Sequence, residues 1–166
     1  MPTPEPWLRG TETDVPATGR AVLHALQLAE EDLQKWCGGL SDADLNARPG
    51  GIAPVAFHLR HIARSMDRLL TYAEGQNLSE GQIAKLKTEL DPGATRAGLF
   101  AELEAAMKDS GRRIRALATS NLEEARGVGK SRQPTTVGGL LVHVADHTQR
   151  HVGQAIAASK LAAAQS

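Results

Sequence analysis

The sequence predicts an all-α domain, a four-helix bundle. Four long segments repeat apolar residues every three or four positions, which places those residues on one face of a helix. Glycine, proline and helix-capping residues separate the four segments. No segment alternates polar and apolar residues at a period of two, and only 3% of residues are aromatic, which disfavours a β-sandwich. We expect a flexible segment at residues 1–16, the bundle at 17–160 and a frayed tail at 161–166.

The first long helix is predicted over residues 17–36, with Gly38 ending it. A short helical turn capped by Ser41 should follow, and then a loop over residues 46–51 that contains Pro49 and two glycines. The inward face of the first helix is predicted to carry Val22, Leu26, Ala29, Leu33 and Trp36.

The second long helix should begin near Pro54, a favourable first-turn residue, and end before Gly75. After it, Ser79 and Gln82 form a capping-box pattern, which predicts a shorter helix that reaches about Leu90. The inward face of the second long helix is predicted to carry Val55, Leu59, Ile62, Met66, Leu69 and Ala73.

The third and fourth long helices are separated by residues 121–134, which are polar and read as an irregular connection. The third is predicted over residues 95–119, and the fourth from Thr135 or Thr136, as N-cap, through Ala158. Their predicted inward faces carry Leu99, Leu103, Met107, Ile114 and Leu117 on the third, and Val137, Leu140, Leu141, Val144, Thr148, His151, Ala155 and Ala158 on the fourth.

The charge composition of the sequence gives no indication of a nucleic-acid or membrane partner. The 19 basic and 19 acidic residues give a formal net charge of +0, so no charge pattern indicates nucleic acid or a membrane surface. The N-terminus lacks the features of a signal peptide, and no apolar run approaches a membrane span, so we expect a cytoplasmic protein. The single cysteine, Cys37, is interpreted as a small buried apolar residue rather than a reactive thiol.

The histidines are the residues of this sequence that indicate a chemical function. Five of the six fall into two groups, His58 and His61 on the second long helix and His143, His147 and His151 on the fourth. Residues four apart lie one helical turn apart on the same face, so His147 and His151 present two imidazoles to one place. Neutral imidazoles at that spacing can bind a zinc-type ion.

Two positions strengthen the hypothesis of a metal site. His151 lies on the predicted inward face, where an unpaired ring would be costly, and His61 lies beside the inward Ile62. Three histidines from two facing helices would form a site with an open position for water or substrate. The spacing also allows a metal-free core in which the rings bond to one another, and it places His24 alone, as a surface residue.

The choice of ligands stays open on spacing alone. His58 could replace His61, and either His58 or His143 could instead orient a ligand from outside the metal's coordination sphere. Arg60, Arg64 and Arg150 flank these histidines, where they would suit a substrate carboxylate or act as plain surface residues. Two further polar residues near the site, candidates for orienting the ligands, are Asp146 and Gln154.

Two segments, FHLRHIA at residues 57–63 and HVADHTQRHVGQ at residues 143–154, resemble the DinB-like family of metalloenzymes. The resemblance extends over residues 17–158 and implies a four-helix bundle. It carries over His61, His147 and His151 as ligands of one divalent metal ion, zinc or nickel first, with iron as a further candidate. Relatives include thiol-dependent S-transferases and a mycothiol-dependent maleylpyruvate isomerase, and bundles of this type often form homodimers.

The resemblance therefore implies a metal-dependent transferase or isomerase that acts on a small molecule, with a low-molecular-weight thiol as a candidate co-substrate. A hydrolase with the same site, or a non-catalytic helical stress or interaction module, are the alternatives. A metal site made of three imidazoles would favour deprotonation of a thiol or water at its open position.

Overall fold

The computed structural model describes residues 3–164, which fold into six α-helices, one β-hairpin and two 3-10 turns. The long helices are α1 (Ala17–Cys37), α3 (Val55–Ala73), α5 (Arg96–Leu117) and α6 (Val137–Ala163). Two short helices, α2 (Asp42–Asn46) and α4 (Glu80–Lys87), lie in the connections, and the 3-10 turns are Pro6–Leu8 and Pro49–Gly51. The predicted all-α class is confirmed, with the four long helices at the predicted places.

The core of the bundle forms where the apolar faces of the four long helices meet. Helix α6 packs against α1 and α3, and α3 also packs against α5. The fully buried side chains on these faces include Leu33, Leu59, Ile62, Met66, Ile114, Leu141 and Val144. Because α3 packs directly against α6, the histidines of α3 lie next to those of α6.

Hydroxyl side chains cap four helices, and the caps at Ser41, Ser79 and Thr136 are those that the sequence predicts. Ser41 caps α2 and Ser79 caps α4, each in a reciprocal capping box. Thr95 accepts a hydrogen bond from the backbone N–H of Gly98 at the start of α5, and Thr136 does the same for α6. Each cap contributes about 1 kcal/mol of helix stability.

Helix α4 ends at Lys87, three residues before the predicted end at Leu90. The carbonyl of Lys85 accepts hydrogen bonds from the guanidinium of Arg64 and from the backbone N–H of Thr88, which closes the last turn. The chain then turns towards α3, because Glu89 is buried against it instead of continuing the exposed surface of α4.

The predicted irregular connection contains an antiparallel hairpin of β1 (Ala125–Val128) and β2 (Gln133–Thr136). Each strand has only four residues, which is too short for an alternating pattern to be recognised in the sequence. Gly129 adopts a φ of 71° in the turn, which glycine allows without strain.

Two expectations, the surface position of His24 and the inward position of Trp36, differ from the structure. The segment predicted to be flexible lies against α1, where Arg9 forms an ion pair with Glu31. This segment also covers His24, which is buried rather than on the surface, with its Nε2 3.1 Å from the hydroxyl of Thr11. Trp36 is 38% exposed, because Cys37, one turn beyond Leu33, takes the inward position. At the other end, α6 continues to Ala163, and residues 165 and 166 lie outside the described part of the chain.

Within residues 3–164, no helix combines the length and the apolar character that a membrane span requires.

The close approach of α1 to the end of α5 leads to a prediction. A Cβ at Gly19 would overlap the Cβ of Ala118 and meet a methyl group of Val15 at 3.0 Å. Gly19→Ala should therefore lower the free energy of unfolding by up to about 2 kcal/mol, because overpacking costs about 1–3 kcal/mol and the gain in helix propensity returns about 1 kcal/mol.

Urea denaturation measures this effect. The matched control is Gly153→Ala, whose added Cβ meets nothing within 4 Å in α6 and which should be stabilising. Equal stabilisation by both substitutions would contradict the packing described.

Candidate metal centre

Helices α3 and α6 bring His61, His147 and His151 together. Each offers one ring nitrogen such that all three nitrogens lie within 4.8 Å of one another. The Nε2 atoms of His61 and His147 are 2.8 Å apart. All three residues keep part of their surface exposed, so the cluster is not sealed inside the bundle.

The other two histidines of these helices occupy different places. His58 is buried, and its Nδ1 lies 3.0 Å from the Nδ1 of His151, so one of these nitrogens donates to the other. The structure therefore places His58 against a member of the cluster, as the sequence allowed. His143 points outward, with 47% of its side chain exposed, and lies 3.7 Å from the carboxylate of Asp146.

A buried carboxylate that the sequence did not indicate contacts the cluster. Glu89, in the turn after α4, accepts a hydrogen bond from Nδ1 of His61 at 2.7 Å. Its second oxygen accepts one from Arg68 of α3, also at 2.7 Å. Burial alone would raise the pKa of Glu89, but the hydrogen bonds from His61 and Arg68 together lower it, so this carboxylate is ionised at neutral pH.

Phe57 packs against the histidines from the first turn of α3. Its ring stacks on that of His61, with centroids 5.2 Å apart and an interplanar angle of 20°, and meets His58 and His151 edge-on. One of only two phenylalanines in the chain therefore forms an apolar wall beside the cluster.

Burial lowers the pKa of His147, His151 and the adjacent His58. Desolvation, followed by neighbouring histidines, lowers the pKa of His147 to about 4, and that of His151 likewise to about 4. The pKa of His58 is also lowered to about 4, first by burial and then by His61. At pH 7 these rings are neutral imidazoles, which is the form that binds metals.

The donor set fits a divalent transition-metal ion. Two imidazole nitrogens on one tetrahedral zinc ion, each at about 2.0–2.1 Å, lie about 3.3 Å apart. The nitrogens of the cluster are spaced between 2.8 and 4.8 Å, so small rotations of the rings reach that geometry. Hydrogen bonds to the other nitrogens of His61 and His151 are of the kind that orient metal ligands.

The comparison with protein families agrees with the fold and the histidine cluster. A sequence profile of the DinB superfamily matches residues 25–155, which include all of α3 and the histidines of α6. The chain belongs to the DinB superfamily. A search of curated proteins finds no match.

The arginines that flank the cluster in this DinB-superfamily protein form hydrogen bonds or ion pairs with other residues of the chain. Arg60 donates to the carbonyl of Asp91, and Arg64 donates to the carboxylate of Glu102. Arg150 and Asp146 form an exposed pair on α6, and another candidate for orienting a ligand, Gln154, is exposed. The structure thus gives Arg60 and Arg64 structural contacts in place of a free guanidinium.

The interpretation of Cys37 as a buried apolar residue agrees with its surroundings. Its exposure is 0%, and burial raises the pKa of its thiol to about 11, against the smaller effect of a hydrogen bond with Ser159. The thiolate, which is the nucleophilic form, is therefore scarce at neutral pH. The chain offers no second cysteine.

We expect Cys37 to resist modification in the folded DinB-superfamily protein. At pH 8, which is well below the raised pKa of about 11, the thiol stays protonated and covered, so a disulfide reagent should label the native chain at least about 100-fold more slowly than the urea-unfolded chain. The release of the reagent's chromophore measures both rates. Equal rates would show that this thiol is accessible.

Proposed function

We propose that this member of the DinB superfamily is a metal-dependent enzyme in which His61, His147 and His151 hold one divalent ion. The observation that carries the proposal is the convergence of three ring nitrogens from two helices within 4.8 Å. Zinc and nickel are the first candidates, and iron is a further one, because imidazole suits all three ions.

We further propose that the reaction is a thiol-dependent transfer or isomerisation of a small molecule. A divalent ion at this site would supply Lewis acidity that favours the deprotonated form of a thiol. The thiol would come from a diffusible co-substrate, since the only cysteine of the chain is buried at the end of α1. A single buried cysteine also suits the reducing cytoplasm, where we place the activity.

The residues around the cluster support this role. Glu89 and His58 each bond to one ring of the cluster, on a nitrogen that the ring does not need for a metal ion. Phe57 excludes water from one side of His61. Each of the three histidines keeps part of its surface exposed, as a site that admits a small co-substrate requires.

The metal content of the purified protein tests the site. Protein prepared without an affinity tag should contain about one zinc or nickel per chain, and His151→Ala should lose most of it. We expect an affinity loss of more than about 100-fold, because removing a partner outside the coordination sphere already costs about 10- to 100-fold. Elemental analysis by mass spectrometry measures the ratio.

The control for this measurement is His143→Ala. His143 lies on the same helix as His147 and His151, but its side chain is exposed. The variant protein should therefore retain its metal. Equal metal contents in wild type, His151→Ala and His143→Ala would refute the three-histidine site.

A second experiment tests the reaction. A panel of low-molecular-weight thiols is mixed with an electrophilic acceptor and the metal-loaded protein, and the conjugate is followed by chromatography. We expect conjugate formation that requires both thiol and metal, and that falls at least about 100-fold in His147→Ala. Metal-dependent consumption of the acceptor without any thiol would instead indicate a hydrolase.

A further inference from the structure

Glu89 is a buried carboxylate that lies between a cation and a member of the histidine cluster. Its two oxygens accept separate hydrogen bonds, one from Nδ1 of His61 and one from Arg68, both at 2.7 Å. Only 5% of the Glu89 side chain is exposed. A buried ion pair is often no more stabilising than an apolar pair of the same size, so stability alone does not account for this arrangement.

Three arginines of α3 hold the segment that carries Glu89. Spaced four residues apart, they form one row on the helix, and each bonds to the chain between residues 85 and 91. Arg60 donates to the carbonyl of Asp91 at 2.5 Å, and Arg64 to the carbonyl of Lys85 at 2.7 Å. The same helix that carries His61 therefore also fixes the position of the carboxylate that contacts it.

The contact with Glu89 determines which nitrogen of His61 carries the proton. An ionised carboxylate only accepts hydrogen bonds, so Nδ1 of His61 must be the protonated nitrogen. With the proton on Nδ1, Nε2 is the nitrogen whose lone pair can bind a metal ion. That atom faces Nε2 of His147 at 2.8 Å, on the side where the cluster converges.

We propose that Glu89, held by Arg68, is a positioning residue of the metal centre, which keeps His61 in the Nδ1-protonated form and so directs the lone pair of Nε2 towards the ion. The carboxylate also makes the imidazole a more basic ligand. This inference rests on the proposed metal site, and it extends that site to a residue 28 positions away from His61 in the sequence.

Glu89→Gln separates positioning from simple packing, because glutamine keeps the size of the side chain. An amide oxygen accepts from only one of the two donors, and the amide N–H groups then face the other. If they face His61, the ring must present the lone pair of Nδ1, and the proton moves to Nε2, where it blocks metal binding.

The affinity of the full chain for Zn²⁺ and Ni²⁺, measured by competition with a chromophoric chelator, tests the proposal. We expect Glu89→Gln to bind each ion about 10- to 100-fold more weakly than wild type. The matched control is Glu102→Gln, since Glu102 pairs with the neighbouring Arg64 but touches no histidine of the cluster. This control should bind like wild type.

Nitrogen-15 NMR of the histidine rings in metal-free protein is a readout that packing alone would not change. In wild type, His61 should be protonated at Nδ1, and in Glu89→Gln a substantial share should shift to Nε2. Because the wild-type spectrum needs no variant, an Nε2-protonated His61 there would overturn the proposal even if Glu89→Gln failed to fold.

The outcomes separate this inference from the proposed function. Wild-type affinity in Glu89→Gln, together with a large loss in His147→Ala, would overturn the positioning role and leave the three-histidine site intact. Equal affinity in wild type and His147→Ala would refute the site itself, and the positioning role with it.

Discussion

The contact between α3 and α6 at His61 and His147 is the constraint on which the proposed metal centre depends. Their Nε2 atoms lie 2.8 Å apart, a separation at which two neutral rings must share a proton or give way to an ion between them. Apolar residues set this distance, because Ile62 of α3 and Val144 of α6 are fully buried beside the two histidines. Packing of the bundle therefore positions the ring nitrogens, and the third ring, His151, follows one helical turn after His147.

The polar groups buried in this bundle need hydrogen-bond partners that offset the free-energy cost of removing them from water. Each buried polar group that lacks a partner would cost about 1–3 kcal/mol. His58, Glu89 and Arg68 all find partners within the same layer, which runs from the cluster to the α4–α5 connection. Burial lowers the pKa of His58, His147 and His151, so these rings remain neutral, while the charge of the Glu89 carboxylate is balanced by the guanidinium of Arg68.

The sequence predicted most of this arrangement, because helical periodicity determines both the core and the direction of side chains. The spacing of His147 and His151, and the position of His61 beside Ile62, indicated the cluster. Glu89 could not be found this way, because it lies in the turn after α4, outside any periodic helix. Contacts from three arginines of α3 hold that turn beside His61. The two strands of the hairpin were not predicted because each has only four residues, which is too short for an alternating pattern to be recognised. His24 was misplaced because its burial depends on the N-terminal segment, whose contacts are not periodic.

The membership of the DinB superfamily and the geometry of the cluster lead to one central claim, that imidazoles from two helices share a metal ion. Crystals grown with Zn²⁺ and measured at the zinc absorption edge test it most directly. The account predicts one anomalous peak at about 2.0–2.1 Å from a nitrogen of each of His61, His147 and His151, with no fourth ligand from the chain. Absence of a peak there, with the three rings turned away from one another, would contradict it.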